Sequence, residues 1–395
     1  MTTPRCEATR REFVKTSASA TVWAMVASAV PAVLGGAADD TAGPTVYDLD
    51  AVRVEVGEPF VINQSDTQRC WFPVLLTHIG ETKLLLLHTT CADSVDAIKS
   101  TDKVAKVAYL VTEDGGHTWS KPVPRTEFPC PWIRLRGGTF IGVVDYPDYV
   151  SEHVASFRIC TSRDGVQFEM SPATVDGSPH KFTRGAKGFC GMIFCRSMIE
   201  ALDGSLVAQM YGRFVGDTLD RSILMRSTDR GKTWKHYSTI GYDPTVGGEG
   251  LNEPCMVRLA NQSLFCFMRN ESGRPMFRSR STDDGRTWSK PDRMPDKYAS
   301  MSVQPDLTLM HSGILACSAG RPKCQLAFCT DSGGTSWTDP ITIFAGPSTC
   351  YTSLREVAPD TLLYVHDVTP AGWEKPQPGK VHQILGRFVT VKRKK

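Results

Sequence analysis

The sequence predicts an all-β fold, a six-bladed β-propeller of four-stranded antiparallel blades. Three observations predict it: a motif of the form Ser/Thr-x-Asp-x-Gly-x-Thr-Trp recurs along the chain, short hairpins recur between its copies, and helical periodicity is scarce. A repeat of roughly 50 residues is typical of units that stack or surround an axis. We expect residues 39–395 to form this propeller as a single domain.

The motif has a physical basis in a tight turn. Complete copies lie at 112–119, 227–234 and 281–288, and degraded copies lie at 162–168 and 329–337. Their aspartates are 50, 65, 54 and 48 residues apart along the chain: Asp114, Asp164, Asp229, Asp283 and Asp331. In such a turn the carboxylate accepts backbone N–H groups, and the glycine takes a positive φ angle. The tryptophan packs back over the hairpin, so we expect the motif to be structural.

The second repeat supplies the remaining strands of each blade. Apolar runs flank short turns at six places: Gly80, Gly137–Gly138, Asp203–Gly204, Asn261–Gln262, Ser312–Gly313 and Pro359–Asp360. The first five precede an aspartate motif, so each repeat has two hairpins, which gives the four strands of a propeller blade. The sixth has no motif. We expect the strand at 386–392 or the strand at 52–57 to complete the last sheet.

Residues 1–38 have the pattern of an export signal. Arg10 and Arg11 are followed by Phe13 and Lys15, then by an apolar stretch and a small-residue cleavage site. This pattern is that of a bacterial twin-arginine signal, with an ordinary secretory signal or a disordered tail as alternatives. The apolar stretch is too short for a membrane anchor. We therefore expect a periplasmic or extracellular protein.

Charge and cysteine content exclude several classes of partner. The net charge is +3, and it falls to about +1 without residues 1–38, which gives no electrostatic footprint for nucleic acid. The 13 cysteines form no pattern with metal-ligand spacing, so we expect neither a metal nor another cofactor, and we expect a monomer. Most cysteines are expected to be buried; Cys255 with Cys266, and Cys324 with Cys329, are possible disulfide pairs.

Three stretches at the expected starts of inner strands contain side chains that can exchange protons or bind charged groups. The stretch 250–270 contains Glu253 and Arg269, 318–331 contains Arg321, and 346–357 contains Tyr351 within Tyr-Thr-Ser-Leu. An acidic residue that opens an apolar strand is costly unless it is used or paired. Together with the aspartate motifs, these stretches resemble the sialidase (neuraminidase) superfamily over roughly residues 65–370.

The resemblance implies a retaining glycosidase with a tyrosine nucleophile. Tyr351 would attack the sugar and Glu253 would take its proton, because a phenol with a pKa of about 10 needs a base. Arg269 and Arg321 would bind a substrate carboxylate through paired hydrogen bonds. The implied partner is a glycan.

The sequence departs from the family pattern at the first blade. Trp71 stands where the family has the first of three clamping arginines, so the pocket would take a neutral sugar stacked on Trp71 or a different acidic sugar. For the acid/base, Asp102 fits best by its distance to the next strand, Asp96 second, and Asp93 is a third candidate. Arg196, at the start of the third blade, is a further candidate for substrate binding.

Three functions remain open from the sequence. The first is an exported, exo-acting, sialidase-like glycoside hydrolase. The second is a non-catalytic propeller that binds glycans or another protein, which the missing clamp arginine favours. The third is an inverting hydrolase with two carboxylates and no tyrosine nucleophile.

Overall fold

The computed structural model describes residues 44–394 except residues 128 and 145. The export segment predicted at 1–38 lies outside the described residues. Within them the chain is built almost wholly of strands, with one short helix, α1 (Val95–Ile98), and two 3-10 turns at Ala186–Gly188 and Asp296–Tyr298. Among these residues no helix has the length and apolar character needed to span a membrane.

The strands follow one another as three initial strands and six groups, which we call units 1 to 6. The initial strands are β1 (Thr45–Asp48), β2 (Val52–Val56) and β3 (Phe60–Ser65). Unit 1 contains β4 (Trp71–His78), β5 (Leu84–Thr89), β6 (Val107–Thr112) and β7 (Val123–Arg125). Unit 2 contains β8 (Trp132–Arg134), β9 (Phe140–Val143), β10 (Asp148–Tyr149), β11 (Val154–Ser162) and β12 (Glu169–Asp176).

The remaining units follow in the same order. Unit 3 contains β13 (Met192–Glu200), β14 (Leu206–Gly212), β15 (Arg221–Ser227) and β16 (Thr233–Gly241). Unit 4 contains β17 (Asn252–Arg258), β18 (Leu264–Arg269), β19 (Phe277–Ser281) and β20 (Asp292–Arg293). Unit 5 contains β21 (Asp306–Leu309), β22 (Leu315–Ala319), β23 (Cys324–Cys329) and β24 (Ile341–Phe344). Unit 6 contains β25 (Thr352–Ala358), β26 (Thr361–Val368) and β27 (His382–Arg393).

Each of the six predicted hairpins joins the first two strands of a unit, and these strands pair antiparallel. In unit 6, β27 pairs with β26 on one side and with both β2 and β3 on the other. The last sheet is therefore completed by both candidate strands, not by one of them, and with β1 it has six strands.

Units 2 and 3 do not form separate four-stranded sheets. Strand β12 pairs in parallel with the start of β16, where Val175 faces Trp234, and this joins the two units into one nine-stranded sheet. The prediction of purely antiparallel four-stranded sheets is wrong here. The parallel pairing has a physical reason, because it gives hydrogen-bond partners to backbone groups that an open strand edge would leave unpaired.

The aspartate motifs lie between the last two strands of units 1 to 5 and form the predicted turns. In the three complete copies the aspartate Oδ1 accepts the backbone N–H of the motif threonine at 2.9 Å. The glycines have positive φ angles. The indole of Trp234 is buried and donates to the Gly231 carbonyl at 2.8 Å, whereas that of Trp288 donates to Ser238 Oγ.

The first strands of the units contact one another in sequence. Each contacts the first strand of the next unit, and β25 of unit 6 contacts β4 of unit 1. Apolar clusters fill the spaces between units; the largest joins units 2 and 3. The beginnings of the first strands therefore lie around a common centre, and the candidate functional residues come from there.

The twelve cysteines of the described part are free thiols, and ten of them are buried. The possible disulfide pairs do not form. Cys324 and Cys329 lie at the two ends of β23, about 16 Å apart at 3.3 Å per residue. Cys255 and Cys266 point to opposite faces of their sheet, because Met256, not Cys255, is directly opposite Cys266.

Candidate active site

The centre of the candidate site is a hydrogen bond between a phenol and a carboxylate. Tyr351, which directly precedes β25, donates from Oη to Glu253 Oε1 at 2.6 Å. Both side chains are buried, with exposed fractions of 4% and 3%. A short bond of this kind is typical of O–H donating to a charged acceptor. The contact expected from the sequence is thus present between residues 98 positions apart.

Arg269, at the end of β18, is held by the same carboxylate and by a second one. Its Nη1 lies 3.3 Å from Glu253 Oε2, its Nη2 lies 3.0 Å from Glu249 Oε2, and its Nε donates to the Ser302 carbonyl at 3.0 Å. Burial lowers the pKa of Arg269, but the Glu253 and Glu249 carboxylates outweigh it, so the net pKa is raised. The guanidinium therefore stays charged and fixes the orientation of Glu253.

A third carboxylate extends this network. Asp220 is fully buried and accepts from Arg213 Nε at 2.9 Å and from Asn252 Nδ2 at 3.0 Å. Asn252 Nδ2 also lies 3.2 Å from Glu249 Oε2. Burial raises the pKa of Asp220 to about 6, against the lowering effect of Arg213. The sequence reading missed Asp220, Glu249 and Asn252, because their side chains meet only through tertiary contacts.

The backbone brings Asp220 to this place through Gly250. Asp220 N donates to the Glu249 carbonyl, and Leu251 N donates to the Asp220 carbonyl, both at 2.9 Å. Gly250 has φ +103°, and a Cβ there would come within 2.3 Å of Asp220 N. Only glycine allows the backbone at residue 250 to approach Asp220 so closely. Gly250 therefore lets the segment that carries Glu249 lie directly against the segment that carries Asp220.

Arg321 and Trp373 form the other side of the site. Arg321 donates from Nη1 to Ser272 Oγ at 3.1 Å and from Nη2 to the Thr349 carbonyl at 2.8 Å. Its guanidinium lies over the rings of Tyr351 and Trp373, 5.7 and 5.6 Å from their centroids. Trp373, on the segment between β26 and β27, is 44% exposed. The sequence alone did not single it out, although a tryptophan in a long connection between strands was a usable signal.

Strained backbone concentrates at this centre. Positive φ angles occur at Glu253 (42°), Phe72 (47°), Cys350 (65°) and Arg321 (92°), none of which is glycine. Such conformations cost roughly 1–3 kcal/mol each and cluster at functional sites. The strands that carry Glu253 and Phe72 also have irregular register near these residues, which redirects side chains.

Trp71 does not lie where substrate could reach it. Its side chain is 1% exposed, and its Nε1 donates to the Cys91 carbonyl at 3.1 Å. Phe72 instead packs on Tyr351 with ring centroids 4.8 Å apart. Trp71 makes edge contacts with the rings of Phe72 and Trp373. The expectation that a sugar stacks directly on Trp71 is therefore not supported.

Arg196 lies apart from the Tyr351 hydroxyl. It is 5% exposed, donates from Nη1 to the Thr352 carbonyl at 2.6 Å, and has Asp306 Oδ2 at 3.7 Å. These contacts tie the first strand of unit 3 to those of units 5 and 6. Arg196 also lines a separate cavity of about 620 Å³ that extends between units 1 and 2.

Of the three acid/base candidates, the structure brings Asp93 to the site. Asp102 is exposed, and its contact is a bond from its own backbone N–H to Ser100 Oγ. Asp96 is exposed and pairs with Lys187 at 3.0 Å. Asp93 lines the cleft beside Tyr351 and Glu253 and also the larger cavity. Asp102, which follows helix α1 and the turn after it, is not among the residues that line the cleft.

The cleft itself is small. Its free volume is about 20 Å³, room for roughly one water molecule, and its lining is Asp93, Tyr211, Asp220, Glu249, Asn252, Glu253, Arg269, Arg321, Tyr351 and Trp373. Within the described ranges no group of three or more His, Cys, Asp or Glu side chains is arranged to hold a metal ion. The site thus brings together the Tyr351 phenol, four carboxyl groups and two guanidinium groups.

Comparison with known families decides the relationship. A family model described as a BNR repeat-like domain matches residues 146–376, more than half of the chain. The chain belongs to this family. No curated protein matches the sequence.

Solved structures show the same fold at low identity. A protein of unknown function from Dyadobacter fermentans is 17% identical, with a TM-score of 0.65 over 86% of this chain and 99% of that one. The Hadza microbial sialidase Hz136 is 16% identical, with a TM-score of 0.55 over 80% and 65% of the two chains. An α-L-arabinofuranosidase from Fusarium graminearum is 14% identical, with a TM-score of 0.56 over 85% and 98%. This family member is thus similar in fold to sialidases and to other glycoside hydrolases.

Proposed function

We propose that the protein is an exported, exo-acting glycoside hydrolase of the sialidase-like type, with Tyr351 as nucleophile and Glu253 as its base. The observation that carries the proposal is the 2.6 Å bond from Tyr351 Oη to Glu253 Oε1. A base in direct contact with a hydroxyl nucleophile, itself oriented by a third group, is the arrangement that nucleophilic catalysis needs. Arg269 is that third group.

The reaction would proceed in two balanced steps. In the first, Tyr351 Oη bonds to the anomeric carbon, its proton passes to Glu253, and the glycosidic C–O bond breaks as Asp93 gives a proton to the leaving oxygen. In the second, Asp93 takes a proton from water as the water oxygen bonds to the anomeric carbon, the bond from Tyr351 Oη to that carbon breaks, and Glu253 returns its proton to Tyr351 Oη. The choice of Asp93 is supported by its position, because it lines both the cleft and the adjoining cavity.

The proposed architecture is a single six-bladed propeller over residues 39–395, in which units 1 to 6 are the blades. It is supported by the succession of contacts between the first strands, which returns from β25 to β4. Sugar entry requires Trp373 to move, because the cleft holds about 20 Å³ and Trp373 is the partly exposed side chain over Arg321. A monomer exported by a twin-arginine signal completes the proposal.

A second candidate function is a propeller that binds glycans without cleaving them. Two observations favour it: the closed cleft, and the buried Trp71 in place of a clamp arginine. The inverting alternative draws on Asp220, whose raised pKa suits a proton donor.

Hydrolysis of a panel of aryl glycosides by the wild type and by Tyr351→Phe separates these functions. Turnover that is lost in Tyr351→Phe supports the proposal. Turnover that survives in Tyr351→Phe supports the inverting mechanism. No turnover of any acidic or neutral glycoside by the wild type supports the binding function.

A further inference from the structure

Arg269 is already paired in charge with two carboxylates of the protein. The two terminal nitrogens that could bind a substrate carboxylate each face a carboxylate of the protein within 3.3 Å, Glu253 on one side and Glu249 on the other. The third nitrogen donates to a backbone carbonyl. Glu249 is 88% buried, because its side chain has an exposed fraction of 12%, so water screens it little.

The charged groups around the cleft leave no excess positive charge. The lining contains four carboxylates (Asp93, Asp220, Glu249 and Glu253) and two guanidinium groups (Arg269 and Arg321). Asp220 is balanced by Arg213 behind it, and Asp93 holds a proton before the first step of the proposed reaction, so Glu249 and Glu253 balance the two arginines and leave no positive charge for an anionic sugar. An anionic sugar would add a further negative charge at a distance where repulsion in a buried site is strong.

The first blade supplies no charge to offset this. Trp71 occupies the position where the sialidase pattern has an arginine, and its indole is packed among Phe72, Trp373 and His382. The nearest arginine in sequence, Arg69, donates from Nη2 to the Trp373 carbonyl and lies over the Trp71 ring. Arg69 therefore binds the segment between β26 and β27 that carries Trp373. It does not point into the cleft, where it could bind a substrate carboxylate.

We infer that the sugar accepted at this cleft is uncharged and that Glu249 is the residue that excludes an anionic one. The inference rests on the proposed hydrolase function of the same site. A tyrosine nucleophile is compatible with an uncharged sugar, since the proton of the phenol passes to Glu253 whatever the substrate carries. Hydroxyl groups of a neutral sugar suit this lining, because carboxylates accept hydrogen bonds from them.

The test compares matched aryl glycosides with the wild-type protein. Glucoside with glucuronide, and galactoside with galacturonide, differ only at C6, which is a hydroxymethyl group in the first and a carboxylate in the second; an α-L-arabinofuranoside and an α-sialoside extend the two sets. We expect kcat/KM for the best neutral substrate to exceed that for every acidic one by at least ~100-fold. An acidic substrate that equals the best neutral one overturns the inference and leaves the hydrolase proposal standing.

If no glycoside is cleaved, the hydrolase proposal fails, and binding decides the inference. Arabinose, glucose, glucuronate and sialic acid are then titrated into the wild-type protein by calorimetry. Tighter binding of either acid than of both neutral sugars overturns the inference. Tighter binding of a neutral sugar supports it.

The role of Glu249 has its own variant. Glu249→Gln keeps the shape and removes the charge, so the preference for neutral over acidic substrates should fall at least ~10-fold. Glu113→Gln, an exposed carboxylate paired with Lys83, is the control and should leave the preference unchanged. An unchanged preference in a folded Glu249→Gln protein would show that another residue sets the charge selectivity.

Discussion

Replacing Tyr351 with phenylalanine removes one oxygen atom from the centre of the proposed mechanism. The packing of the ring against Phe72 and under Arg321 remains, so the variant should fold. It loses the 2.6 Å bond to Glu253, and a buried hydrogen bond to a charged group contributes about 1.5–3 kcal/mol. Since Arg269 still compensates the Glu253 charge, we expect the free energy of unfolding to decrease by an amount near the lower end of that range, about 1.5 kcal/mol.

The effect on activity should be much larger than the effect on stability. Without a nucleophile, kcat should fall by at least ~10³-fold, while KM changes little because the cleft keeps its shape. Initial rates on the best aryl glycoside measure this. Tyr298→Phe is the matched control: Tyr298 is 3% exposed and donates to the Trp337 and Thr338 carbonyls away from the site. A Tyr351→Phe variant with kcat within tenfold of the wild type would refute the tyrosine nucleophile.

Three further predictions follow from the same geometry. Asp93→Asn should lower kcat by at least ~10²-fold while Asp102→Asn leaves it within twofold, and the reverse result would restore Asp102 as the acid/base. Trp373→Ala should raise KM by about 2- to 10-fold, since an aromatic contact is worth ~0.5–1.5 kcal/mol, and an unchanged KM would show that Trp373 does not touch the sugar. Because the pKa of Asp220 is raised to about 6, the folded state favours the protonated carboxyl group. The contribution of Asp220 to the free energy of unfolding therefore falls by roughly 3 kcal/mol as pH rises from about 4 to about 6. Denaturant titrations at pH 4 and 7 should show a flatter dependence in Asp220→Asn than in the wild type or in Asp217→Asn, and equal slopes in all three would contradict the raised pKa.

The sequence contained enough to predict strands and turns but not how sheets join. Each hairpin turn was visible because glycine, aspartate and asparagine interrupt apolar runs, and these are local signals. The parallel pairing of β12 with β16 was not visible, because it depends on how two units meet in space. Whether 52–57 or 386–392 completes the last sheet could not be decided locally either, and both do.

The same division applies to the site. Tyr351, Glu253, Arg269 and Arg321 were found because their stretches resemble the sialidase pattern, and for Glu253 also because an acidic residue that opens an apolar strand is conspicuous. Asp93 was ranked third because the candidates were ordered by their distance in sequence to the next strand, and that distance does not show which side chain lines the cleft. The contacts that hold Arg269, and therefore its availability to a substrate, depend on side-chain geometry that spacing does not contain.

The pairing of β27 with β2 and β3 also affects how the protein can fold. It brings together residues such as Val54 and Val391, which are separated by nearly the whole described chain. Contacts so distant in sequence require a long loop to close, which slows folding. The last sheet should therefore form late in folding and join the two ends of the described chain. Amide hydrogen exchange during refolding should show β2 and β27 becoming protected together, after the strands of units 3 to 5.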